Sequence, residues 1–307
     1  MSLKTTLSAL AFAAVAGPAM ANCDRVTFSD VGWTDITATT AATSVVLEAL
    51  GYETEINVLS VPVTYAGLAG GDIDVFLGNW MPTMEADIAS YRDAGKVDTV
   101  RTNLEGAKYT LATNEHGAAL GITDFTTIAA QKDALEAKIY GIEPGNDGNR
   151  LILDMIASGP FGLDGFEVVE SSEQGMLAEV AKATKAGKPI VFLGWEPHPM
   201  NANFKMTYLT GGDDYFGPNL GGAIVATNTR AGYVAECPNT GKLLQNLAFT
   251  LQMENEIMGA ILNDATDPAE AAKTWLAANP ATWESWLDGV TTKDGGDAKA
   301  AVAAALQ

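Results

Sequence analysis

Apolar positions recur along the chain in two alternating rhythms. Residues 25–30, 53–59, 73–77, 138–142, 166–169 and 190–193 are short alternating or continuous apolar runs, and they predict strands. Between them, residues 37–50, 64–68, 83–94, 147–158 and 173–186 predict helices. Gly51 and Gly95 stand where helix C-termini are expected, and Thr83 is placed to cap the helix that follows it. This alternation predicts an α/β protein with largely parallel sheets. Beyond about residue 239 the pattern turns helical, near 240–250, 252–264, 268–278, 281–288 and 296–306, punctuated by Pro268, Pro280 and Gly295-Gly296.

Two pairs of segments resemble each other. Val75-Phe76-Leu77-Gly78-Asn79-Trp80-Met81-Pro82 and Val191-Phe192-Leu193-Gly194-Trp195-Glu196-Pro197 are each an apolar strand ending in Gly, then a Trp, then Pro. Tyr109-Thr110-Leu111-Ala112-Thr113-Asn114 and Ala223-Ile224-Val225-Ala226-Thr227-Asn228 form the second pair. One account is chance similarity between buried strands. The other is two similar lobes joined by crossing segments near residues 110 and 225. Ligands of open α/β sheets sit beyond the carboxyl ends of strands, so a Trp directly after such a strand would face a cleft. Trp33, Trp80 and Trp195 share that context, whereas Trp275, Trp283 and Trp286 fall in the helical C-terminal region and read as packing residues. Asp35, two residues beyond Trp33, reads as a helix N-cap, a ligand group, or both.

Composition narrows the classes. The chain has 307 residues and a formal charge of −20, which disfavours nucleic acid as a partner. With two cysteines and two histidines it has no Cys/His-rich zinc site, and haem or an iron–sulfur cluster is not expected. No metal or cofactor is called for. Lys4, the small-residue apolar run 7–16 and Ala19-Met20-Ala21 form an export-signal pattern over residues 1–21. A membrane anchor would need a longer run, and a lipid-anchored Cys23 is poorly served by Asn22 before it. The expected mature chain is periplasmic. There, an even cysteine count favours a bridge between Cys23 and Cys237, with two buried free thiols as the alternative.

Aromatic faces beside a carboxylate, in an exported protein, suggest a cationic ligand. A quaternary ammonium group has no strong N–H donor, and ring faces attract it by about 2 kcal/mol per desolvated contact. The loop Glu143-Pro144-Gly145-Asn146-Asp147-Gly148-Asn149-Arg150 leaves a strand and enters a helix without a P-loop or G-x-G-x-x-G pattern. It is either an ordinary capped turn or a presentation of Asn146 to a polar ligand end. Hydrolase motifs are missing. His116 reads as a surface-turn residue, and His198 falls close after Trp195 and so near the expected cleft. Asp72/Asp74 and Asp213/Asp214 read as solvated loop charges.

From about residue 23 onward the chain resembles the choline-binding periplasmic proteins of bacterial ABC importers, among the glycine-betaine and quaternary-amine substrate-binding proteins. The match is carried by Phe28-Ser29-Asp30-Val31-Gly32-Trp33-Thr34-Asp35, Phe76-Leu77-Gly78-Asn79-Trp80-Met81-Pro82, Lys108-Tyr109-Thr110, Gly141-Ile142-Glu143-Pro144-Gly145-Asn146-Asp147 and Phe192-Leu193-Gly194-Trp195-Glu196-Pro197-His198-Pro199. The resemblance implies a two-lobed periplasmic binding protein fold of type II, closing on a ligand between the lobes. Lobe 1 would be residues 22–110 plus 225–307, and lobe 2 residues 111–224. It also implies an aromatic box of Trp33, Trp80, Tyr109 and Trp195, with Asp35 beside the ammonium and Asn146 on the choline hydroxyl. It pairs Cys23 with Cys237. Its expected partner is an ABC permease, and its expected state is a monomer. Three rivals stay open: a glycine-betaine receptor using Lys108 or Arg150, a secreted choline-ester hydrolase with His198 as base, and a chemoreceptor adaptor without transport.

Overall fold

A computed structural model describes residues 23–307; the export signal expected over residues 1–21 lies outside the described residues. The strands are β1 (Arg25–Asp30), β2 (Glu53–Val58), β3 (Val75–Met81), β4 (Val97–Asn114), β5 (Lys138–Tyr140), β6 (Glu167–Val169), β7 (Val191–Glu196), β8 (Met206–Tyr208) and β9 (Gly222–Arg230). Among the described residues they form one sheet in the order β2-β1-β3-β9-β4-β7-β5-β6, with β8 added on β4.

The sheet is not largely parallel, contrary to the expectation from the strand–helix rhythm. β2-β1-β3 at one end and β7-β5-β6 at the other are parallel. Between them β9 and β4 pair antiparallel with their neighbours. Helix crossovers give parallel neighbours, but β4 and β9 are distant in sequence and free to enter in either sense. The 18-residue β4 spans the junction, pairing β9 from Val97 to Lys108 and β7 from Lys108 to Thr113.

Two strands also run further than expected. β3 continues through Trp80, and β7 through Trp195, so both tryptophans lie within strands. Each is followed by a cis X-Pro bond, Met81–Pro82 and Glu196–Pro197. Thr83 does not cap the next helix. Helix α3 begins at Glu85, after helices α1 (Thr34–Ala49) and α2 (Val61–Gly70), and the Thr83 hydroxyl instead donates to the Trp80 carbonyl. Asp74 is not a solvated charge: it accepts from the Arg230 guanidinium at 2.8 Å and from the Thr27 amide at 2.9 Å. Sequence spacing could not show that Arg230, at the far end of β9, lands beside it.

α1 is buried on nearly every side. Its Ala and Thr side chains are small enough for the helices Leu251–Leu262 and Pro268–Ala278 to pack on it. Thr39 and Thr43 donate to carbonyls one turn back, which hides their hydroxyls. Trp283 and Trp286 are buried with their indole N–H groups on the Leu276 and Ala248 carbonyls, as packing residues should be. Cys23 and Cys237 form a disulfide across a separation of 214 residues, fastening the segment before β1 to the start of the helix Pro238–Asn246. Closing so long a loop restricts the unfolded chain, so Cys23→Ser with Cys237→Ser should lower unfolding free energy by about 2–5 kcal/mol. Chemical denaturation checks this, and an unchanged midpoint would show that the bridge contributes nothing.

Candidate ligand-binding site

The six residues singled out in the sequence line one cavity, together with Ile142 and Asp147. Trp33 stands at the junction of β1 and α1, Asp35 in the first turn of α1, and Trp80 near the end of β3. Tyr109 lies in β4, directly across the ladder from Trp195 in β7. Asn146 caps the helix Asp147–Ser158 by accepting from the Asn149 amide.

The rings enclose the cavity at steep mutual angles. Tyr109 lies 6.0 Å from Trp80 and 6.3 Å from Trp195, tilted by 60° and 82°. Three of the four polar edges are tied to protein. The Trp80 indole donates to Asp35 at 3.1 Å, the Trp33 indole to Glu143 at 2.9 Å, and the Tyr109 hydroxyl to Asn146 at 3.0 Å. The box therefore holds its rings by their edges and leaves faces for a ligand. Gly148 permits this packing, because a Cβ there would fall 2.1 Å from the Tyr109 hydroxyl.

The electrostatics are one-sided. Asp35 does not cap α1: Trp33 occupies the cap position without a side-chain bond, and Asp35 turns to Trp80. One Asp35 oxygen and one Asp147 oxygen are buried and make no hydrogen bond among the described residues. Burial, with the Glu173 carboxylate adding to it, pushes Asp35 up to about 8. Burial raises Asp147 to about 6 and Glu143 to about 7. Glu254, behind α1, is held well above the usual range by burial and by Asp35. Among the described residues no cationic side chain lines the cavity. Lys108 pairs with Glu196 at 3.1 Å, and Arg150 makes a two-pronged contact with Asp87 at 2.8 Å. Such a site is suited to a cation bearing a hydroxyl and opposes a carboxylate.

His198 is not in the cavity lining. It is buried behind Trp195, its ring 4.9 Å away. The Met200 amide donates to its Nδ1, so Nε2 carries the proton and donates to Glu173 at 3.1 Å. Both nitrogens are engaged, which removes it as a free base. His116 lies in a short helix, with Nε2 3.2 Å from the Thr184 carbonyl. Sequence reading missed Ile142, Asp147, Glu143 and Glu173. Asp147 follows Asn146 directly, and its one signal was a carboxylate in a helix first turn, where capping is the commoner use.

Comparison with known proteins agrees with this geometry. The family described as the substrate-binding domain of the ABC-type glycine betaine transport system matches residues 24–278. A solved ABC-transporter choline-binding protein in complex with choline is 73% identical, over 93% of this chain and 99% of that one, with a TM-score of 0.92. An unliganded, semi-closed choline-binding protein, also 73% identical, covers 92% of this chain and 99% of its own at a TM-score of 0.85. The described conformation is thus nearer to the liganded form, and the fold is that of the type II periplasmic binding proteins. The glycine betaine/carnitine transport binding protein GbuC of Listeria monocytogenes is 33% identical over 136 residues, 44% of this chain and 44% of that protein. The chain belongs to the family of substrate-binding domains of ABC-type glycine betaine transport systems, which are transport receptors and not enzymes.

Proposed function

We propose that this protein is an exported, periplasmic receptor that binds choline and delivers it to an ABC permease. The observation that carries the reading is the closed aromatic box with partnerless carboxylate oxygens and no cationic lining group. The trimethylammonium group lies against Trp33, Trp80, Tyr109 and Trp195, with Asp35 supplying the counter-charge. The hydroxyl reaches Asn146 and Asp147. Asn146 Nδ2 already gives one N–H to Asp147 at 3.1 Å and has a second to offer. Asp147 accepts the hydroxyl proton, a bond that a betaine carboxylate would replace with repulsion. Several ring contacts of about 2 kcal/mol each account for the roughly 8 kcal/mol of micromolar binding.

Residues 22–110 with 225–307 form the first lobe and 111–224 the second, hinged where β4 and β9 run between the two parallel ends of the sheet. Ligand touching both lobes stabilises the closed state because it makes contacts there that the open state lacks. The protein acts as a monomer. Among the described residues no helix is long and apolar enough to cross a membrane.

Calorimetric titration of mature protein, stripped of carried-over ligand by unfolding and refolding, tests the reading. Tight choline binding with weak glycine-betaine binding is expected, whereas a preference for betaine would overturn the assigned specificity. Trp195→Ala should weaken choline binding by about thirtyfold or more, the equivalent of one ring at ~2 kcal/mol, with an unchanged circular dichroism spectrum. Binding should also release protons. Asp35 holds its proton up to about pH 8 without ligand, and an adjacent cation favours the carboxylate. Affinity should therefore fall as pH drops from 8 to 6, and calorimetry in buffers of different ionisation enthalpy should register proton release at pH 7. A flat profile would remove Asp35 as the counter-charge.

A further inference from the structure

Glu173 is one of the most enclosed charged residues in the protein, and nothing in the box requires it. It is 1% exposed and opens the helix Glu173–Lys185, which follows β6 at the far end of the sheet from β1. Its carboxylate nevertheless reaches the start of α1. Oε2 accepts from the Thr34 backbone amide at 2.8 Å, and Oε1 accepts from the Thr34 hydroxyl. Oε1 also accepts from His198 Nε2 at 3.1 Å.

The first N–H groups of a helix have no partner within it, and a side chain at the cap position usually supplies one. Trp33 occupies that position in α1 and supplies none. Glu173 makes the missing cap from 139 residues away. The capped residue, Thr34, separates Trp33 from Asp35, and the third partner, His198, packs its ring against Trp195. One buried carboxylate thus grips both walls of the cavity. Moving the two ends of the sheet apart would strip α1 of its cap and leave Glu173 without two of its three donors. A second bridge, Arg150 to Asp87, spans the same gap, but its arginine is one-third open to water, where such pairs contribute little.

We infer that Glu173 is the latch of the cleft, a positioning residue that caps α1 only when the lobes are closed and so sets how long a ligand is held. This rests on the hinge-closing receptor reading above. The latch acts after capture, so it belongs to the dissociation rate.

Two measurements on Glu173→Gln and Thr34→Val, in the full mature protein, test it. Stopped-flow tryptophan fluorescence with choline should show dissociation faster by about tenfold or more in Glu173→Gln, as expected for hydrogen bonds to a charged group, with association within about twofold of wild type. The double variant should dissociate little faster than Glu173→Gln alone, because both changes break the same contact. Hydrogen exchange at saturating choline, where the lobes are closed, should show faster exchange around Thr34 in Glu173→Gln than in wild type, with the midpoint of chemical unfolding of the ligand-free protein little changed. A folded variant with unchanged dissociation overturns the latch. So does a general loss of stability with no selective change around Thr34. If wild type gives no saturable response to choline, the choline reading fails, and the same exchange comparison at saturating glycine betaine tests the latch by itself, with unchanged exchange around Thr34 overturning it.

Discussion

Carboxylates buried among aromatic rings without a cation set the terms for the rest of this structure. Taking a carboxylate out of water costs several kcal/mol unless it is paired or protonated. Asp35 and Asp147 each keep an oxygen that no described residue satisfies, and the cavity they face has no lysine or arginine in its lining. Burial answers by holding their protons on at higher pH than usual. A site built this way is incomplete without a positive charge from outside, which is the condition a receptor for a small cation must meet.

The surrounding fold is arranged to hold that arrangement still. Indole and phenol edges are fixed to Asp35, Glu143 and Asn146, so ring faces cannot turn aside. Trp195 and Tyr109 are locked across one ladder, and Trp80 is held in the antiparallel pairing of β3 with β9. The two cations closest in sequence to site residues are spent on other acids, Arg150 on Asp87 and Lys108 on Glu196. Their pairing keeps fixed positive charge out of the cavity lining. Glu173 joins the same scheme from behind, tying α1 to His198 and Trp195.

Much of this was legible in the residues. Six of the nine strands among the described residues, and the longer helices, followed from apolar period, because each element buries one face or stripe and its spacing records which; β4, β8 and β9 did not. The repeated Gly-Trp and Gly-Asn-Trp segments pointed to strand ends facing a shared space. Export and the two-cysteine count argued for the bridge now seen between Cys23 and Cys237. Tyr109 entered through family resemblance alone, since a tyrosine in a strand reads as core. Asp147 and Glu173 were missed because an acid in a helix first turn has a local use, and nothing local distinguishes it from one that reaches across the molecule.

What the sequence determined by itself was the local material: strands followed closely by tryptophan, helices marked by their apolar period, and a surplus of acid over base. Those properties depend on neighbours one to four residues apart. Tertiary structure alone decided the antiparallel entry of β4 and β9, the continuation of β3 and β7 through their tryptophans, and the pairing of Asp74 with Arg230. It also decided that Asp35 answers Trp80 and leaves α1 to be capped by Glu173, 139 residues downstream. The physical reason is range. A hydrogen bond or an ion pair is set by a few ångströms in space, and folding brings within that distance groups whose separation along the chain carries no trace of it.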